Sequence, residues 1–209
     1  MDQEQLIAYA SRTGTKKNLH ALREAQWRIL VSATGVLRCE GFQYALDNGA
    51  WHAYCQGKLF DEKLFIKALR KMGRNADWVV LPDIVTGGKK SLDLSLKWMR
   101  IVLDETNMCL IAVQDGMNTD DLSCSIGNRV GIFVGGSTSW KLSTMPLWGL
   151  LSKKIGCWMH VGRVNSAKRI LLCSLAGANS FDGTSVTRYS KNIHTLDLAR
   201  KQMVLFNGF

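Results

Sequence analysis

Eight short apolar runs, separated mostly by amphipathic stretches, limit this 209-residue chain to very few folds. The runs are LIAYAS (6–11), RILVSA (28–33), YALD (44–47), WVVLPD (78–83), LIAVQD (110–115), GIFVGG (131–136), CWMHVG (157–162) and NSFDG (179–183). A strand that alternates apolar and polar residues keeps one face wet. A strand that is apolar almost throughout is buried on both faces, as in a parallel sheet covered by helices. Between the runs, KKNLHALREAQ sets Leu19, Leu22 and Ala25 on one helical face, and EKLFIKALRKM sets Leu64, Ile66, Ala68 and Leu69 in helical rhythm. SLDLSLKWMRIVL, WKLSTMPLWGLLSKK and NSAKRILLCSLAG read alike, the last closing on a capping glycine, Gly177. This alternation predicts an α/β protein, a compact (β/α)8 TIM-like barrel formed as a single domain over residues 1–209. Residues 34–43, TGVLRCEGFQ, are too short and glycine-punctuated for a full crossover helix, so a doubly wound open sheet is the alternative.

A hydrophobic content of 46% supports one sizeable core. The apolar runs are strand-length rather than membrane-length, and the amino terminus, MDQEQLIAYAS, is acidic before it is apolar. A cytoplasmic protein without a membrane partner is therefore expected. The six cysteines form no C-x-x-C pair and the four histidines are dispersed, so no metal site is expected and the thiols should be reduced. The charge is lopsided. Of the formal +10, the segment from Ser137 onward holds ten lysines and arginines against two acids, Asp182 and Asp197. Such an excess points to a polyanionic partner, nucleic acid before others, unless it is only a solvated basic face.

In barrels of this kind the chemistry lies at the carboxyl ends of the strands. Those ends carry Asp47 in DNGAW, Asp83 in LPDI, Gln114 in VQDG, Gly135 and Gly136 in VGGS, His160 in MHVGR and Asp182 in FDGTS. Each also has a plain structural reading, since Asp-Gly and Asp-Asn-Gly form turns, Pro-Asp caps helices and Gly-Gly permits close packing. Together they place three carboxylates around one cavity, where mutual repulsion spreads their pKa values and fits one as nucleophile and another as acid or base. Trp51 and Met159 offer flat or soft apolar surfaces for a ring, or are core. His160 is a candidate proton carrier or a structural histidine. Arg163, Lys168, Arg169 and Arg188 follow the seventh and eighth runs, where barrels often bind phosphate.

These stretches, in this order, resemble the queuine/archaeosine tRNA-guanine transglycosylase superfamily of (β/α)8 barrels. DNGAW is similar to the Asp-Ser-Gly-Gly-Phe stretch of that family, which implies Asp47 as acid/base and Trp51 as the stacking aromatic. Asp83 falls where the family has a base-recognising aspartate. Gln114 resembles the glutamine of Val-Gln-Gly-Gly, and GIFVGGS resembles an Ile-Gly-Gly segment that would bring Gly135 and Gly136 to the base. WMHVG resembles Leu-Met-Gly-Val-Gly, which would put Met159 against the ring and leaves His160 beside it as a departure. NSFDGTSVTR resembles Met-Phe-Asp-Cys-Val-x-Pro-Thr-Arg, implying Asp182 as covalent nucleophile and Arg188 as a contact to the substrate backbone. Arg163, Lys168 and Arg169 are expected to contact a nucleic-acid backbone only by their place after the seventh run.

The tRNA enzymes of that superfamily carry a Cys-x-Cys-x-x-Cys…His zinc site in a C-terminal extension, a spacing this sequence lacks. The resemblance is therefore to the compact bacteriophage DNA transglycosylases, which place 7-cyano-7-deazaguanine (preQ0) or a relative into DNA and so shield it from restriction. It implies a pentosyltransferase without cofactor that takes DNA, or alternatively tRNA, and a free 7-deazaguanine base. A glycosylase that releases the base to water, and a non-catalytic nucleic-acid-binding barrel serving a partner protein, are the competing readings.

Overall fold

In the computed structural model, which describes residues 6–206, the eight runs close into an all-parallel barrel. The strands are β1 (Ile7–Ser11), β2 (Arg28–Ser32), β3 (Tyr44–Asp47), β4 (Val79–Val80), β5 (Cys109–Val113), β6 (Val130–Val134), β7 (Met159–Val161) and β8 (Ser180–Gly183). Each pairs with the next, and β1 pairs with β8 to seal the ring, with Ala8 beside Phe181 and Tyr9 beside Asp182. The closed ring excludes the open-sheet alternative.

Outside the ring, α1 (Lys16–Glu24) follows β1, α2 (Ala50–Cys55) and α3 (Glu62–Met72) follow β3, and α4 (Lys89–Glu105) follows β4. Then α5 (Thr138–Ile155) follows β6, α6 (Ala167–Leu175) follows β7, and α7 (Ser185–Arg188) and α8 (Lys191–Phe206) follow β8. The predicted starts reflect real caps: Asp61 accepts from Leu64 N at 3.0 Å, and Ser166 accepts from Arg169 N at 3.4 Å. The β2–β3 link has no helix, as its glycines foretell. The β5–β6 link departs from the expected alternation. Residues 114–129 are mostly polar and give a helix no apolar row to bury, so they hold one 3-10 turn, Thr119–Asp121, boxed by Asn118 and Asp121. Where α5 meets the end of α6, Gly149 lies so near Ala176 O that any side chain would collide with it. Among the described residues no helix is long and apolar enough to cross a membrane.

Strand alternation divides the core in two. Tyr9, Ala45, Trp78, Val80, Leu110 and Ala112 fill the barrel, with Leu30, Phe133 and Trp158 packed on them, while the outward strand faces join a larger core shared with the helices. On β7 and the residue before it, Trp158 and His160 face inward and Met159 and Val161 face the helices. On β8, Ser180 and Asp182 face inward, and Phe181 packs outward on Trp27 with ring centroids 5.6 Å apart. The amino-terminal end is plugged by Tyr9 Oη donating to Asp77 at 2.8 Å, with Arg28 paired to the same carboxylate at 3.0 Å. Polar side chains at the other end carry the site.

Candidate active site

Three carboxylates converge on the carboxyl end of the barrel. Asp47 closes β3, where Gly49, in the left-handed conformation at φ 84°, turns the chain into α2 and gives its amide to Asp47 Oδ2 at 3.0 Å. Burial pushes the Asp47 pKa up to about 7; the charges of Asp83 and Asp182 add to the rise, and the Gly49 amide and Ser32 hydroxyl oppose it. Asp83, after β4, is raised by burial to about 6, against the hydrogen bond from Asn48. Asn48 Nδ2 donates to Asp83 Oδ1 at 2.8 Å and to Leu81 O at 2.6 Å, locking the β3 and β4 ends together. Gln114, after β5, donates from Nε2 to Ile84 O at 2.9 Å and to Ser91 Oγ at 2.8 Å. Both amide protons are spent on the wall, and the carbonyl oxygen is the part left to accept from a ligand.

Asp182 is the most enclosed of the three, 5% exposed. Its Oδ1 accepts from His160 Nε2 at 3.1 Å and from the Arg163 amide at 3.3 Å. No hydrogen bond to Oδ2 is present among the described residues. Gly162, next to it, makes room for the Phe133 ring: an added Cβ would stand 2.8 Å from that ring, but at an ordinary 3.4 Å from Asp182 Oδ1.

The β7 and β3 ends face each other across the ring, and Arg163 spans them. Its guanidinium lies over Trp51 of α2, 4.3 Å from the ring centroid, and also donates to Gly136 O. Arg163 holds a left-handed backbone at φ 58°, an uncommon state for a side chain other than glycine, fixed here by the bonds at its amide and its guanidinium. Gly136, at φ 70°, leaves no space for a side chain against Asp115 and Trp140. Asp115 in turn accepts from Ser137 N and Oγ, both at 2.6 Å, and so ties the β5 end to the start of α5. Lys141 of α5 is buried and donates to Gly162 O; desolvation, with Arg163 nearby, pulls its pKa down to about 8.

No family model matches the chain, and no curated protein matches it.

Of the residues expected at the site, the structure gathers Asp47, Asp83, Gln114, Gly135, Gly136, Trp51, Arg163 and Asp182 at the barrel's carboxyl end. Gly135 donates its amide to Val113 O at 2.9 Å, which leaves Gly136 as the glycine amide without that commitment. Two placements differ from expectation. Met159 does not face a ring: strand alternation turns it into the helix layer, where its sulfur lies 3.9 Å from Ser152 Oγ. His160 does not face a base either. It is fully buried inside the barrel, below Asp182. Lys168 is exposed in the first turn of α6, and Arg169 beside it is half-buried. Arg188 ends α7, and its side chain lies outside the described residues.

Sequence reasoning missed Asn48, Ser91, Lys141, Trp158 and Ser180 as parts of the site. Ser180 and His160 carry a signal after all, each a polar residue two places from another inward position on an otherwise apolar strand. Lys141 carries none, because a lysine in the first turn of an amphipathic helix reads as solvated.

Proposed function

We propose that this protein is a base-exchange enzyme, a DNA-guanine transglycosylase that replaces guanine with a 7-deazaguanine through a covalent glycosyl-aspartyl intermediate. The observation that carries this reading is the Asp182 carboxylate, with one oxygen fixed by two donors and the other unbonded, beside Asp47 with a pKa near neutrality. On this reading Asp182 Oδ2 bonds to the anomeric carbon as the bond to the guanine nitrogen breaks, and Asp47 gives its proton to the leaving base. The incoming base then returns a proton to Asp47. Its nitrogen attacks the sugar, and the Asp182 ester bond breaks with its electron pair going back to the carboxylate.

Asp83 and the Gln114 carbonyl offer acceptors to the imino and amino donors of a guanine-like edge. A base stacked on Trp51 takes the place of the Arg163 guanidinium, which is then free to meet a phosphate. The resemblance supplies the identity of the incoming base and the choice of DNA, and the basic carboxyl-terminal segment is consistent with a polyanionic substrate. A guanine inside a duplex must leave the stack to reach Asp182.

The test uses duplex DNA labelled in guanine, incubated with wild type and Asp182→Asn, with and without preQ0. Release of guanine that requires preQ0, with the deazaguanine recovered in DNA and both lost in the variant, is expected. Release without added base, leaving abasic sites, would make the protein a glycosylase. Release from tRNA alone would change the substrate, and release from neither would return the binding reading.

A further inference from the structure

We infer that His160 is a positioning residue for Asp182: it holds Oδ1 from below and leaves Oδ2 to react. The arrangement rests on geometry, and its kinetic consequence rests on the transglycosylase reading.

The imidazole is fully buried. It stacks on Phe133 with centroids 4.9 Å apart and planes at 28°, and it touches Trp78 at 4.5 Å and Tyr9 at 5.8 Å between centroids. Both ring nitrogens are engaged. Nδ1 is 2.8 Å from Ser180 Oγ, which is also 3.0 Å from Trp158 Nε1. An indole N–H can only donate, so Ser180 Oγ accepts there with one lone pair and can either give its hydrogen to His160 Nδ1 or accept from it. The carboxylate oxygen Asp182 Oδ1, 3.1 Å from Nε2, can only accept, so the ring proton lies on Nε2 and the bare Nδ1 accepts from Ser180. The relay Trp158–Ser180–His160–Asp182 thus selects one tautomer and one ring orientation.

The titratable groups around the ring are Asp182 on β8, Lys141 on α5 and Tyr9 on β1. Burial is the largest influence and lowers the imidazole pKa, with Lys141 in the same direction and Asp182 opposing. A neutral ring with its proton on Nε2 follows. Because the ring is enclosed and both nitrogens are committed, it neither touches a base nor passes protons to solvent. Its proton stays on Nε2 through both displacements. When the ester between Asp182 and the sugar breaks, the returning charge is shared with Oδ1, where His160 and the Arg163 amide receive it. Loss of the donor should therefore slow turnover and leave substrate affinity alone.

The experiment compares wild type, His160→Phe, which keeps an aromatic ring without a donor, and His160→Gln, whose amide can present N–H near the position of Nε2. Base exchange gives kcat and KM, and 15N NMR of the histidine-labelled wild type reports the tautomer at neutral pH. A kcat lower by about 10- to 100-fold in His160→Phe, the range for a lost hydrogen bond to a charged group, with KM unchanged, is expected. His160→Gln should recover most of that loss, and the spectrum should show a neutral Nε2–H ring whose signals move in Asp182→Asn. A rise in KM with kcat unchanged, or glutamine no better than phenylalanine, would overturn the inference. So would an Nδ1–H or doubly protonated ring. If wild type exchanges no base and the ring is still Nε2–H bonded to Asp182, the positioning stands and the transglycosylase reading falls.

Discussion

At Asp47, burial and two neighbouring carboxylates act in the same direction, and the consequence can be read against pH. Its folded pKa of about 7 lies above that of an exposed aspartate, so the native state binds the proton more tightly than the unfolded chain. That contribution to stability is full below the ordinary carboxylate range and is lost as pH rises through about 7. Asp83 behaves likewise up to about 6. Asp47→Asn removes the titration. Its melting temperature should gain on that of wild type as pH is raised from the ordinary carboxylate range to about 7 and level off above it, and an equal offset at all pH values would show that Asp47 is not buried in this way. On the transglycosylase reading, single-turnover release of guanine needs Asp47 protonated and should fall in wild type as pH rises through about 7, and drop by about 100-fold or more in the variant. At this scale the sequence was legible where a polar residue ended an apolar run, as at Asp47, Asp83, Gln114 and Asp182. It was illegible where function depends on which way a strand residue faces. Met159 and His160 are adjacent, and one step in register decides which of them meets Asp182.

Among the elements, α8 shows why a helix can escape a pattern-based reading. Among the described side chains of α8, the buried positions Ile193, Leu196, Asp197 and Arg200 follow helical spacing, but two of these four are charged, so the apolar period that marks α1 and α3 is broken. The charges are buried because they satisfy one another and the backbone around them. Arg200 Nη2 donates to Asp197 at 2.6 Å and to Ala25 O at 3.0 Å, and Trp27 Nε1 donates to Asp197 at 3.1 Å, fastening α8 to the link between α1 and β2. Lys201 also reaches Asp197, at 2.7 Å, but it is exposed and adds little. Asp197→Ala leaves a buried guanidinium without its carboxylate and should cost about 3–5 kcal/mol in urea unfolding. The double replacement Asp197→Leu, Arg200→Met should be less destabilised than Asp197→Ala alone, because no unpaired charge then remains. A single variant that unfolds at the wild-type urea concentration would show that this pair does not hold the helix. The β5–β6 link is the converse case, where a rhythm of strand and helix was extended over residues too polar to support one.

For the whole molecule, the basic excess matters by where the barrel puts it. The chain after Ser137 carries most of the net charge, but a (β/α)8 barrel sends alternate segments to opposite ends, so cations close in sequence are separated in space. Arg163 and Lys168 follow β7 and lie at the end that holds the carboxylates, while Lys153 and Lys154, in the last turn of α5, lie at the other. Lys141 is buried and Arg200 is committed to Asp197, so neither is free for a polyanion. On the transglycosylase reading, a DNA strand that delivers a nucleotide to Asp182 would run past Lys168 and far from Lys154. Each phosphate contact releases counterions, so binding weakens linearly in log–log terms as salt rises. Lys168→Ala should weaken DNA binding across sequences and lower that salt slope by about 1. Lys154→Ala, which removes the same formal charge, should leave the slope unchanged. Titrating labelled DNA with the two variants over a salt series separates local contact from net charge. Equal slopes in both would mean that the excess acts only as a diffuse field, and a larger effect at Lys154 would place the nucleic acid at the wrong end of the barrel for Asp182 to reach it.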